Sequence, residues 1–344
     1  MDDTPLPDEI LDDEVEGGSS VACEVFESTA GPAQHGVRLD RALADWVPAH
    51  SRSHLQTLVE EGAVTVDGAE VRSPSRKLQA GQRVRIEVRP TAQSQSFKAE
   101  AMDLDVVFED EHLLVVNKPA GMVVHPAAGN WQGTLMNGLL AHHAGAAELP
   151  RAGIVHRLDK DTSGLMVVAK HWAAMHALTQ AIAAREVSRQ YLALVHGQFH
   201  KSLHIDAPIG RDPVSRIRMA VVASGKPAQT DVLPVHICGD FEVAPGQTGS
   251  ISAVRCVLHT GRTHQIRVHL SHRGHPLLGD LTYGGRQVLG LTRQALHAAR
   301  LALTHPMSGQ LLCFVAPLPE DLAGICAAAG WECPDFSNWT SSGA

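Results

Sequence analysis

The sequence predicts an α+β protein, with a large domain on a mixed, mostly antiparallel sheet and a small two-helix domain in front of it. Short β-rich runs ("LDVVFED", "HLLVVNKP", "GLMVVAK", "YLALVHG", "SAVRCVLHT", "IRVHL") follow one another, bounded by turn residues. Helical patterns interrupt them only at 135–143, 171–185 and 294–301, so a strict strand–helix alternation is missing. At 344 residues the chain also exceeds the ~250–300 at which one hydrophobic core usually stops growing, which implies two domains.

Composition narrows the class. With 44% hydrophobic and 19% charged residues the chain is an ordinary globular protein. No run approaches the ~20 apolar residues of a membrane span, and the acidic start is unlike a signal peptide, so a cytoplasmic location without membrane contact is expected. The six cysteines are scattered with no C-x-x-C pair, which argues for free thiols. Residues 1–30 hold ten Asp or Glu and no Lys or Arg; without them the net charge of −8 becomes +2. Residues 1–33 therefore read as an acidic disordered leader. Neither G-x-G-x-x-G after a strand nor a phosphate-binding P-loop occurs, so dinucleotide and nucleoside triphosphate binding have no support.

From residue 37 the pattern changes. Leu39, Leu43 and Trp46 recur at helical spacing until Pro48. Ser53 and Gln56 form a capping-box pattern before Leu55, Leu58 and Val59, and Gly62 is placed to stop that second helix. "VTVDGAEV" then alternates around Asp67-Gly68, a hairpin dipeptide, and Val84, Ile86 and Val88 alternate again. Residues 37–89 resemble the alpha-L RNA-binding module on "RLDRALAD", "SRSHLQTLVEEGAVTVDG" and the run at 78–84. The resemblance implies phosphate contacts from Arg38, Arg41 and Arg52, although a solvated charged face is the plainer reading of the same residues. Polar residues 90–100 read as a linker, 101–325 as the large domain, and 326–344 as a tail, a short helix after Pro319 followed by a loose end.

In the large domain "GIVHRLDKDTSGLMVVAK", residues 153–170, places charges between two apolar runs that look like strands. "HRLDKDTSG" is then the connection, with Leu158 as its anchor and Asp159 half-buried beside it. A half-buried carboxylate needs a cation or hydrogen bonds to stay ionised. In "LHTGRTHQIRVHL", Ile266, Val268 and Leu270 alternate with Arg267 and His269 like a half-buried strand, making Arg267 a candidate partner. At ~4 Å and an effective dielectric near 20 the pair would gain about 4 kcal/mol before desolvation. Spacing alone does not choose between a buried salt bridge and a reactive carboxylate.

That loop, together with "VVNKPAGMVVHPAAGN", "REVSRQYLALVHG", "TGRTHQIRVHLSHRGHPLLGDLTYGG" and "RQALHAARLALTHPMSG", resembles the RluA-type RNA pseudouridine synthases from Leu104 to about Pro319. Within that family the chain is most similar to the member acting on the helix 69 hairpin of large-subunit (23S) ribosomal RNA. The resemblance implies an isomerase that needs no cofactor, working as a monomer on large-subunit ribosomal RNA or the assembling large subunit. It puts the catalytic aspartate on Asp159, its paired arginine on Arg267, the base-stacking tyrosine on Tyr191, and the arginine that enters the RNA stack on Arg157. His156, Arg262 and His264 are expected to face RNA. Other members often carry lysine where Gln190 stands. Asp159 has two open roles, attack at C1′ or removal of a ribose proton. His264, His269, His272 and His275 crowd one stretch, but no H-E-x-x-H or carboxylate set accompanies them, so no metal site is expected. The rival reading is a non-catalytic RNA-binding ribosome-assembly factor in which the Asp159–Arg267 pair only holds the fold.

Overall fold

The computed structural model describes residues 24–48, 50, 52–88, 97–127, 129–215 and 218–339. Leader residues 1–23, most of the expected linker and residues 340–344 lie outside these. Two compact units divide between Lys98 and Ala99.

The first unit runs β1 (Glu24–Thr29), α1 (Leu39–Trp46), α2 (Arg52–Glu60), β2 (Val64–Val66), β3 (Ala69–Glu70) and β4 (Arg83–Val88), with an antiparallel sheet of order β1-β4-β2-β3. Leu39, Leu43, Leu55, Leu58, Val64 and Ile86 close its core, as the two periodicities predict. Asp67 and Gly68 both take positive φ, the turn that a two-residue hairpin needs. Two expectations fail. Residues 24–29 of the expected leader form β1, in register with all of β4. The gain there is backbone pairing along an open strand edge, which an acidic composition does not disclose. Ser53 lies inside α2 rather than capping it, and Gln56 Nε2 instead donates to Asp40 Oδ2 at 2.6 Å.

The second unit runs β5 (Val106–Glu109), β6 (Leu113–Lys118), α3 (Leu135–His142), β7 (Ser163–Ala169), α4 (Trp172–Ala183), β8 (Ser188–His196), β9 (Leu203–Asp206), β10 (Ile209–Arg211), β11 (Met219–Val221), β12 (Gln229–Ala244), β13 (Gln247–Leu258), α5 (Gln265–His272), β14 (Leu296–Thr304), β15 (Leu311–Val315) and α6 (Glu320–Ala328). Its main sheet has the order β5-β6-β7-β14-β8-β13-β12-β9, with β15 also on β14, and every pairing is antiparallel except β7 with β14. The sheet is mixed and mostly antiparallel, as expected. α4 buries Ala174, Met175, Leu178 and Ile182 against Val115, Leu165 and Val167. α6 together with Phe336 and Trp339 covers Leu192, Leu194 and Ile251. Each such fully buried side chain stabilises the fold by roughly 1.5–3 kcal/mol.

Three local expectations are corrected. Residues 266–270 belong to helix α5, not a strand; all of Gln265 to Leu270 is buried, so the apparent alternation marks no exposed face. Residues 296–301, expected as helix, lie in β14, which is buried on both faces between β8 and its β7 and β15 partners. Alanine's helix propensity of a few tenths of a kcal/mol is small against a full set of ladder bonds and that burial. Finally, 326–339 are no loose tail, because Cys326, Phe336 and Trp339 are buried in the core.

Candidate active site

The segment before the 156–162 loop is not a full strand. Ile154 makes a single bridge to Val168, and the loop then enters β7 at Ser163. Leu158 anchors it, 4% exposed. Backbone carbonyls fix the rest. Lys118 Nζ donates to the carbonyl of Lys160 at 3.0 Å, and to those of Pro119 and Met122 at 2.9 Å each. Arg293 Nη1 donates to the Asp161 carbonyl at 3.0 Å while its Nε and Nη2 hold Asp321. Gln294 Nε2 donates to Thr162 Oγ1 at 3.2 Å. Gly164 completes the clamp: its φ is +116°, and a Cβ there would lie 2.3 Å from the carbonyl oxygen of Ala298. Only glycine lets β7 approach β14 so closely.

Asp159 is thereby held at the rim of a cleft, its side chain 19% exposed, with Arg267 Nη1 donating to its Oδ2 at 3.1 Å. The same guanidinium gives Nε and Nη2 to Asp280 at 2.7 and 2.9 Å, and Asp280 is 1% exposed. Arg267 thus bridges two carboxylates, one sealed and one facing the cleft. Its guanidinium carbon also lies 4.9 Å from the centre of the Tyr283 ring. The Tyr283 hydroxyl accepts the Met219 amide at 2.9 Å and bonds His264 Nδ1 at 2.8 Å.

These contacts set the protonation states. Burial alone would raise the Asp159 carboxyl, but His264 and Arg267 overcome it and hold it below the ordinary carboxylate range. Because burial pushes His264 itself down, toward the neutral imidazole, Arg267 is the charge that counts near pH 7. Burial lowers Arg267 too, yet its bonds to Asp280 and the Asp159 charge more than restore it. Burial pushes the Lys118 ammonium down to about 7, against the pull of Asp159 and Asp161.

The structure brings Asp159, Arg157, Tyr191, Arg262, His264 and Arg267 to one cleft. Tyr191 comes from β8 and is 5% exposed. His156 does not join them: it is 2% exposed, and its Nε2 accepts the Val167 amide at 3.0 Å, so it secures the loop instead of facing RNA. Gln190 points away from the cleft and donates to Ser188 Oγ. In the first unit, Arg38 and Arg52 converge on buried Asp40, their own side chains 48% and 50% exposed, while Arg41 is exposed on α1. Two cations on one carboxylate leave a net positive, outward-facing pair.

Sequence reasoning missed Lys118, Asp280, Tyr283 and Arg293. A lysine ending the apolar run "LLVVNK" and an aspartate closing "PLLGD" were the available signals, since neither type is buried without a partner. Of the crowded histidines, His269 is buried and bonds Thr230 Oγ1 and the Ala207 carbonyl. Among the described residues His204, Asp231 and His259 have donor atoms close enough to share an ion, but both imidazoles already bond that carboxylate, at 2.5 and 2.6 Å.

Both units of the chain resemble known proteins. Residues 112–272 match the RNA pseudouridylate synthase family and 37–84 the S4 domain. The chain is 47% identical to "Ribosomal large subunit pseudouridine synthase D" of Nitrosomonas europaea, over 90% of each chain. It is 48% identical to the protein of that name from Pseudomonas aeruginosa, covering 83% of this chain and 90% of that one. Among solved structures, "Human RNA Pseudouridylate Synthase Domain Containing 4" superposes with a TM-score of 0.51 at 25% identity, covering 67% of this chain and 94% of the other. With an S4 domain ahead of that α+β sheet and near-half identity over most of its length, the chain belongs to the RluA-type family of RNA pseudouridine synthases.

Proposed function

We propose that this synthase isomerises uridine to pseudouridine in large-subunit ribosomal RNA, in the helix 69 hairpin, in the cytoplasm, with Asp159 as the catalytic carboxylate. The observation that carries the assignment is Asp159 itself, at a cleft rim and 3.1 Å from a guanidinium fixed from behind by Asp280, a partner that favours the ionised carboxylate. Attack at C1′ and removal of a ribose proton both demand a carboxylate in that state, with little water around it. Tyr191 suits holding the freed uracil ring and relaying the proton from C5. The relatives' printed names support the ribosomal target.

The cleft beside Asp159 has a cavity volume of about 50 Å³, room for roughly three to five waters at the ~10–15 Å³ each needs. Arg157 lines both this cleft and its neighbour, and moving outward lets it fill the gap that the everted base leaves in the RNA stack. Arg262 and His264 remain at the rim to meet the nucleotide. Arg38, Arg41 and Arg52 supply phosphate contacts from the S4 unit.

Asp159→Asn tests the assignment with RNA tritiated at uracil C5. The variant is expected to bind the transcript like the wild type and release no tritium; full release would overturn the role of Asp159. Absence of release from the wild type on every ribosomal transcript would favour a binding factor.

A further inference from the structure

Beside the cleft lies a second, larger concavity of about 400 Å³, walled by β10, β11 and the turn that follows β11. Arg157, Arg211, Lys226 and Arg262 contribute to its lining, and among the described residues no aspartate or glutamate does. Arg157, Arg262 and Thr263 line both hollows, so the two adjoin across a shared wall. Its cations sit on fixed backbone: Lys226 and Ile209 exchange both amide bonds, which places Lys226 beside β10 with Arg211 two residues along the same strand. The Met219 amide on the Tyr283 hydroxyl ties β11 to the group that packs on Arg267. Arg262 is held from one side, Nε to the Pro227 carbonyl at 3.1 Å, while its buried Nη1 has no hydrogen-bond partner among the described residues.

We propose that this groove takes two consecutive phosphodiesters of the RNA strand running from the everted uridine, with Arg211 and Lys226 as their ligands and Arg262 on the shared wall. A groove that is open to solvent, carries four cations and shares Arg157, Arg262 and Thr263 with the cleft suits a polyanion passing through better than a compact ligand enclosed within it. The inference rests on reading the cleft at Asp159 as the uridine site. It gives the S4 unit a different task from the catalytic unit: the first adds affinity, and the groove sets which stretch of strand lies over the cleft.

The test is the salt dependence of binding. A helix 69 hairpin transcript is titrated with the full-length protein and with Arg211→Gln/Lys226→Gln from 50 to 300 mM salt, with melting temperatures as the control for folding. Losing two single-strand phosphate contacts lowers the slope of log K against log salt by about 1.4 and weakens binding at 0.15 M roughly tenfold. The single variants each give about half of that slope change, so a double variant that misfolds does not remove the test. An unchanged slope in the well-folded variants overturns the groove and leaves the isomerase reading standing. Failure of the wild type to form pseudouridine in ribosomal RNA sinks that reading, while the slope comparison still decides whether the groove binds RNA.

Discussion

Replacing Asp280 with asparagine separates a fixed guanidinium from a merely charged one. Asp280 is almost fully buried and takes two of the three bonds that Arg267 makes to carboxylates. Asparagine keeps the shape but offers one acceptor and an amide donor, so one guanidinium N–H faces a donor. Removing one partner of a buried ion pair costs about 3–5 kcal/mol. Because Asp159 remains 3.1 Å from Nη1, the lower end applies, about 3 kcal/mol. In a domain of this size that is a melting-temperature drop of about 6–12 °C. The charge facing Asp159 survives, so the carboxyl stays ionised, but the fork that aims it is lost, and a displacement near 1 Å costs roughly 100-fold in rate. Calorimetry and single-turnover tritium release measure the two effects. A variant that melts within 2 °C of the wild type and turns over within about twofold of it refutes the reasoning.

The loop clamp and the buried histidines give further expectations. Lys118→Met takes the Lys118 donor from the part-buried carbonyls of Pro119 and Met122 and from that of Lys160, which keeps the Gly121 amide, and should cost about 1–3 kcal/mol in urea unfolding while slowing turnover through the loop; unchanged stability would mean that these bonds contribute nothing. Gly164→Ala drives a Cβ toward the Ala298 carbonyl and should destabilise by about 2–5 kcal/mol, with a soluble wild-type-like melt as the contrary result. Burial holds the His297 imidazole down at about 4. Between that value and its ordinary one the unfolded chain binds the extra proton, so stability should fall by about 3 kcal/mol as pH drops from 6.5 to 4, and His297→Gln should flatten that part of the melting profile. An identical profile in the variant would show that other groups set the acid limb.

The fold was legible where local pattern and burial coincide. β2, β4, β6 and β7 each show their buried face or buried run in sequence, and α1 and α4 show their helical stripe. α5 and β14 were misread for one common reason: both are buried nearly all round, and an element without a wet face has no period to display. β1 was missed because its pairing partner lies some sixty residues on, in β4. In the site, the apolar context of Asp159 showed from the chain alone that it needs a cation, with Arg267 as a candidate, but the pairing itself came from the family resemblance. Asp280 could not be assigned, since "PLLGD" offers a carboxylate but nothing that says which cation turns toward it.

That missing carboxylate changes the electrostatic argument. With Arg267 as a private partner of Asp159, the pair would be neutral and the aspartate poorly available for chemistry. With Asp280 included, the buried group carries a net negative charge, and the exposed end of it is Asp159. Such a site repels the phosphates of the RNA that it must receive, by about 1 kcal/mol at 4 Å in water and more where water is excluded. Compensation has to come from cations that do not touch Asp159, so that they neutralise the strand without quenching the carboxylate. Arg262 on the shared wall, and Arg211 and Lys226 beyond it, stand in those positions, while the charge of Arg157 also acts on Asp159 itself. The groove and the cleft therefore depend on each other: one makes the polyanion tolerable, which allows the other to stay ionised beside it.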